Sequence, residues 1–376
     1  MTRLALAGCI TLLAACSHSD AFAPHDASRS GPLVAGTPAR LTYNPAASLS
    51  PAWLPDGSAF AYAYANLEAR LDHDQCLGVL PAEGGSLTRT ICNPNPFSGD
   101  STDTFAWPAV SPDATLIAYV RSSRPRAAQA DQRAAIVTAP MAAPAVVTPV
   151  RSLPLPGDDG NVFVSAADLS WLSQEQLVML GLVDTSVQCI DPPLCLADPI
   201  LVRSGRKVLV ATLGPGAPSV ATVPGTDWAS SVAPVPGSAD VYYTVAGSSQ
   251  VFRTPLGGGA TLVHDFGAEG VVRDVDARGN LLAAVVGGIV RDYDQGGAPI
   301  QQDAGGRLVV LDVATDVTTE LAIPATIFRN PALAPDGSSV VAEAYALSVI
   351  AHTVGGVTRV DTAVTGVPTL WRFPLR

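Results

Sequence analysis

Apolar residues in this chain fall in short Val-, Ala-, Leu- and Tyr-rich runs punctuated by glycine and proline, and beyond the N-terminus almost none keeps the i, i+3, i+4, i+7 spacing of an amphipathic helix. The stretch PAWLPDGSAFAYAY (51–64) shows the unit most clearly. In Pro55-Asp56-Gly57 the proline presets φ for the first corner, the aspartate bonds the backbone ahead, and the glycine accepts φ > 0. Residues 59–64 then alternate alanine with large aromatics, so both faces are apolar, one small and one bulky. That pattern predicts an inner strand of a sheet covered on both sides.

The unit recurs. PAVSPDATLIAYV (108–120) and PALAPDGSSVVAEAY (331–345) repeat it closely, and weaker copies have turns at Ser173-Gln174-Glu175, Pro236-Gly237-Ser238 and Ala277-Arg278-Gly279. The turn-to-turn intervals are 57, 61, 63, 41 and 58 residues. Each of the six units has room for four short strands, and 249–266 and 306–323 read as the outer hairpins of two of them. The last unit ends at its third strand, Thr369–Leu375, while Ala39–Tyr43 stands unpaired before the first turn. Joining the two predicts ring closure, which removes a free sheet edge. The expectation is an all-β, six-bladed β-propeller with an N-terminal strand closing the last blade, preferred over seven blades. Asp56, Gly57, Asp113, Asp336 and Gly337 are expected to be turn residues, because a fold-making residue recurs from copy to copy and an active site does not.

The matches PAWLPDG, PAVSPDA, PALAPDG, TLWRFPL, AEGGSLT and ARLTYN resemble the repeat of TolB-like propellers over residues 38–376. The resemblance implies a propeller that meets envelope proteins. TolB itself carries a further α/β domain before its propeller, for which this chain leaves no room, and loops at 120–134 and 346–366 exceed what the repeat needs.

The N-terminus sets the compartment. One positive residue, Arg3, precedes an apolar run too short to span a bilayer, as in a signal peptide. Leu13-Ala14-Ala15-Cys16 resembles a bacterial lipobox. Leu6-Ala7-Gly8-Cys9 also fits, but it leaves an apolar run of only a few residues, so Cys16 is the expected lipidation site. The division is then a signal peptide at 1–15, a polar, Gly/Pro-rich tether at 16–37 and a propeller at 38–376. Ser17 rather than aspartate after the cysteine points, by resemblance to enteric sorting, to a lipoprotein held on the periplasmic side of the outer membrane. The four cysteines left in the exported part suit an oxidising compartment. In a hairpin symmetric about Gly84, Cys76 faces Cys92, close enough for a disulfide; Cys189 and Cys195 would pin a small loop. A metal site is the competing reading, but neither pair has C-x-x-C spacing.

Composition narrows the function. The net charge is −11 with a single lysine, Lys207, and no basic cluster, which argues against nucleic-acid binding. There is no G-x-S-x-G or H-E-x-x-H motif, and His73, His264 and His352 are scattered. Acidic pairs at Asp72/Asp74, Asp100/Asp103, Asp158/Asp159 and Asp292/Asp294 fall in expected loops and could bind Ca²⁺, which takes several oxygen ligands, but no metal site is expected there. Asp274-Val275-Asp276-Ala277-Arg278-Gly279 is similar to a calcium loop but puts arginine at a ligand position. The expectation is therefore a non-catalytic, monomeric scaffold without metal or cofactor, touching the membrane only through its lipid and binding an envelope protein or polymer. The alternative is a propeller enzyme, a metal-dependent hydrolase or lyase with its site in the central channel.

Overall fold

The structure, a computed structural model, describes residues 36–43, 46–65, 75–92, 101–125, 133–144, 146–153, 155–156, 162–187, 200–214, 218–288, 290–293, 299–302, 305–354 and 356–375. Cys16, Cys189, Cys195, Asp72, His73, Asp74, Asp100, Asp158, Asp159 and Asp294 lie outside them.

Six antiparallel blades form a ring. The innermost strand of each, in chain order, is Ser48–Trp53, Ser101–Val110, Val162–Ser173, Ala229–Pro234, Val272–Arg278 and Thr326–Leu333. Each is followed by a tight turn at the position the repeat assigns, then by strands stepping outward. Blade 6 takes its outer strand from the N-terminus: Ala39 pairs Arg372 and Arg40 pairs Trp371, and the Leu41 amide continues the ladder to Leu370 O at 2.8 Å. The ends of the chain thus close the ring as the sequence predicts.

The Ala-aromatic strand, Ala59–Ala65, is second from the channel rather than innermost, and its two faces serve different neighbours. Phe60 and Tyr62 pack with Trp53, Val341 and Leu370 against blade 6, whereas Ala59, Ala61 and Ala63 pack with Ile117 and Tyr119 against blade 2. The same holds around the ring, where an apolar cluster fills each of the six blade-to-blade interfaces. The core therefore lies between sheets, which is why both faces of every second strand are apolar.

Leu77 pairs Ile91 and Gly78 pairs Thr90, a register that sets Cys76 opposite Cys92, and the two are disulfide-bonded. Of the two long segments, the described residues 120–125 and 133–134, and 346–354 and 357–366, are parts of blade strands. In blade 6 the hairpin Ser339–Val354/Val357–Pro374 projects beyond the sheet, and in blade 5 a hairpin Val290–Tyr293/Pro299–Gln302 is inserted between the second and third strands.

The repeated aspartates sit in their own turns. Asp56 accepts from the Ser58 amide at 3.0 Å, Asp113 from the Thr115 amide at 3.0 Å, and Asp336 from the Ser338 amide at 2.9 Å. The Ser58 amide holds Asp56 below the ordinary carboxyl range, and the Ser111 hydroxyl does the same for Asp113. The next position needs a left-handed backbone, with φ 71° at Gly57 and 68° at Gly337, but in blade 2 an alanine, Ala114, adopts φ 58°. A Cβ is penalised in that region. Ala114→Gly is expected to raise stability in urea unfolding by about 1 kcal/mol and Gly57→Ala to lower it by a similar amount.

Candidate functional site

The inner strands are not paired with one another, so backbone N–H groups that face a neighbouring blade need side-chain acceptors. The structure supplies them in a nearly continuous ring. Val275 N donates to Ser231 Oγ at 3.0 Å, linking blade 5 to blade 4. Ser231 Oγ and Val232 N both donate to Asp168 Oδ2, at 2.7 and 2.8 Å, linking blade 4 to blade 3. Leu333 N donates to Asp276 at 2.7 Å, and Arg329 reaches Asp274 through Nε at 2.6 Å and Nη2 at 3.2 Å, linking blade 6 to blade 5. Ser50 N of blade 1 donates at 2.6 Å to Glu343 of blade 6, which also accepts from Asn330 Nδ2 and the Tyr345 hydroxyl. Two indoles complete the pattern: Trp53 Nε1 bonds Ala332 O at 2.9 Å, and Trp171 Nε1 bonds Ala109 O at 3.0 Å. The resemblance of 274–279 to a calcium loop dissolves here. Asp274 and Asp276 lie on an inner strand, and their oxygens are engaged by blade 6 and by Arg278, 3.5 Å from Asp276. Among the described residues no three His, Cys, Asp or Glu side chains are grouped to hold a metal ion. His264 pairs with Asp316 at 2.7 Å, and its strand, Thr261–Asp265, is the outermost of blade 4, away from the channel.

Each inner strand also breaks register with its partner. In four blades a residue at the break takes a left-handed backbone: Ser50, Trp107, Asp168 and Asn330, with φ of 51°, 55°, 54° and 44°. In blades 1, 2 and 6 this residue directly precedes the proline at which the sequence repeat was taken to begin. Sequence reasoning therefore missed these four channel positions. The signal lay one residue upstream, in Ser-Pro-Ala, Trp-Pro-Ala and Asn-Pro-Ala.

The strands enclose a cavity of about 300 Å³, lined from all six blades, with Trp53, Trp107, Trp171 and proline rings forming much of the wall. Asp168, Asp274, Asp276 and Arg278 give it polar character. Burial raises the Asp168 carboxyl from 3.8 to about 7, with Asp274 and Asp276 adding to the rise against the pull of the Ser231 and Val232 donors. Burial likewise raises Glu343 and Tyr345, and Asp274 holds Arg329 firmly cationic.

The sign of the Asp168 shift sets a stability profile. Between the unfolded value and about 7 the folded protein binds a proton that the unfolded chain has released, so stability falls as pH rises through that window. An asparagine in its place would keep an acceptor for Ser231 and Val232 while removing the charge. Asp168→Asn is expected to flatten the decline in urea midpoint across the window and to leave stability at about pH 8 equal to or above the parent's. An undiminished decline would contradict the assignment.

No protein-family model matches the chain, and no curated protein is detectably related to it. Solved structures are similar. TolB from Acinetobacter baumannii has 16% identity and a TM-score of 0.45, covering 88% of this chain and 63% of its own, so this chain spans less than two thirds of that protein. A putative TolB from Agrobacterium tumefaciens has 13% identity and a TM-score of 0.47, covering 86% and 92%. XC5397 from Xanthomonas campestris, a gluconolactonase, has 14% identity and a TM-score of 0.45, covering 93% and 99%. The last corrects the expectation of a non-catalytic protein: an enzyme is among the similar propellers, and the channel is not lined by neutral side chains alone. The blade arrangement itself establishes the fold, a six-bladed β-propeller.

Proposed function

We propose that this propeller takes a segment of an envelope protein into its central channel, acting as a monomer tethered through lipid on Cys16 to the periplasmic side of the outer membrane. The observation that carries the binding reading is the channel cavity, lined from all six blades, with rigid indole or proline rings from five of them and charged groups from blades 3 and 5. A concave wall of rigid rings with polar groups set among them suits binding, because little side-chain entropy is lost on contact and the polar groups fix orientation. The lipobox, the apolar run before it and the polar tether support the anchored location. The repeat's resemblance to TolB-like propellers supports an envelope partner.

A second reading has one observation behind it. A carboxyl that titrates near 7 and lines a cavity is placed for general acid–base chemistry. Turnover of a lactone, ester or glycoside by the parent protein that is lost in Asp168→Asn would put that reading first.

The test of binding is site-specific photo-crosslinking in cells. A photoreactive residue at Pro234, in the channel wall, should yield a discrete protein adduct, and one at Val317, on the exposed outer strand of blade 5, should not. Filling the channel with Ser170→Trp should abolish the adduct, and Cys16→Ala should abolish palmitate labelling. Equal adducts from both positions, or a polymer in place of a protein, would overturn the proposal.

A further inference from the structure

The four left-handed positions of the channel are not equivalent. In blades 1 and 6 they are occupied: Ser50 donates its amide to Glu343, and Asn330 donates its side-chain amide to the same carboxylate. In blades 2 and 3 they are open. The Trp107 indole N–H makes no hydrogen bond among the described residues, whereas the indoles of Trp53 and Trp171 are both bonded. At Asp168 one oxygen, Oδ2, takes both donors from blade 4, and Oδ1 accepts none among the described residues. Both residues line the cavity, and Trp107 packs on the apolar clusters that contain Ala167 and Leu169, the two neighbours of Asp168. A bulky aromatic at φ 55° is a costly choice for the backbone, and strained residues of this sort concentrate at ligand clamps.

The charges point the same way. Of the three carboxylates lining the cavity, Asp274 is matched by Arg329 and Asp276 by Arg278, whereas Asp168 has no cationic partner among the described residues. Resting on the channel-binding reading above, we infer that the wall shared by blades 2 and 3 is a subsite for one cationic side chain of the bound protein, an arginine, whose guanidinium lies on the Trp107 ring and hydrogen-bonds to Asp168 Oδ1. A planar cation suits both partners: it stacks on an indole face and presents N–H donors at its edge.

The test is calorimetric titration of the full chain with acetyl-Gly-Arg-Gly-amide and with the same peptide carrying citrulline, which keeps the shape and loses the charge. The arginine peptide is expected to bind saturably and the citrulline peptide about tenfold or more weakly, the scale of a charge-assisted hydrogen bond. Asp168→Asn, which retains an acceptor for blade 4, should weaken the arginine peptide about tenfold, and Trp107→Leu by roughly the same factor. Asp316→Asn, on the outer rim, should change nothing. Equal affinity for the two peptides, insensitivity to both channel variants, or no binding of either peptide at about 10 mM, a concentration well above millimolar affinity, would overturn the inference. If the Pro234 adduct persists in that event, the channel still binds a protein and only the cationic subsite is lost.

Discussion

A ring of blades has a hydrogen-bonding deficit at its centre. Within a blade each strand is paired outward, but inner strands lie side by side without a shared ladder, and Ser50, Val232, Val275 and Leu333, whose amides face a neighbouring blade, are buried. A buried amide left without an acceptor costs about 1–3 kcal/mol. The ties from Val275, Val232, Leu333 and Ser50 to side chains of adjacent blades answer that constraint. Most of what is polar in the channel follows from it.

This explains why the channel is acidic. Carboxylates suit the ties because one oxygen can accept from two donors, as Asp168 Oδ2 does. Gathering them raises Asp168 and Glu343 by burial, and the arginines at 278 and 329 offset part of the accumulated charge. The scaffold thereby shifts these carboxyls as a by-product of closing the ring. Among the described residues the Trp107 indole N–H and Asp168 Oδ1 take no part in these ties.

Much of the fold was legible because propeller repeats impose periodic demands. The Pro-Asp-Gly turns, the Ala-aromatic alternation of 59–64 and the split last blade each reflect a local rule that a single sequence displays. The Cys76–Cys92 bond was legible for the same reason, since hairpin symmetry fixes register. The site was not legible. Asp168, the Asp274/Asp276 pair and Glu343 stand in three different blades, up to 175 residues apart in sequence, and their roles depend on which N–H groups a neighbouring blade presents. Only Asp274 and Asp276 drew attention, through a spacing that suggested calcium. The four left-handed positions are not legible as a set because Ser50, Trp107, Asp168 and Asn330 share no chemistry, only a backbone angle, and only three of them precede a proline.

The central claim is that side-chain ties, not backbone ladders, hold the inner strands together. Hydrogen–deuterium exchange resolved to single amides tests it directly. The amides of Val232, Val275, Leu333 and Ser50 should be protected to the level of the paired second strands, and Asp168→Ala should release Val232 selectively while the other three stay protected. Fast exchange at these amides in the parent protein, or a loss of protection spread evenly over the ring in the variant, would contradict it.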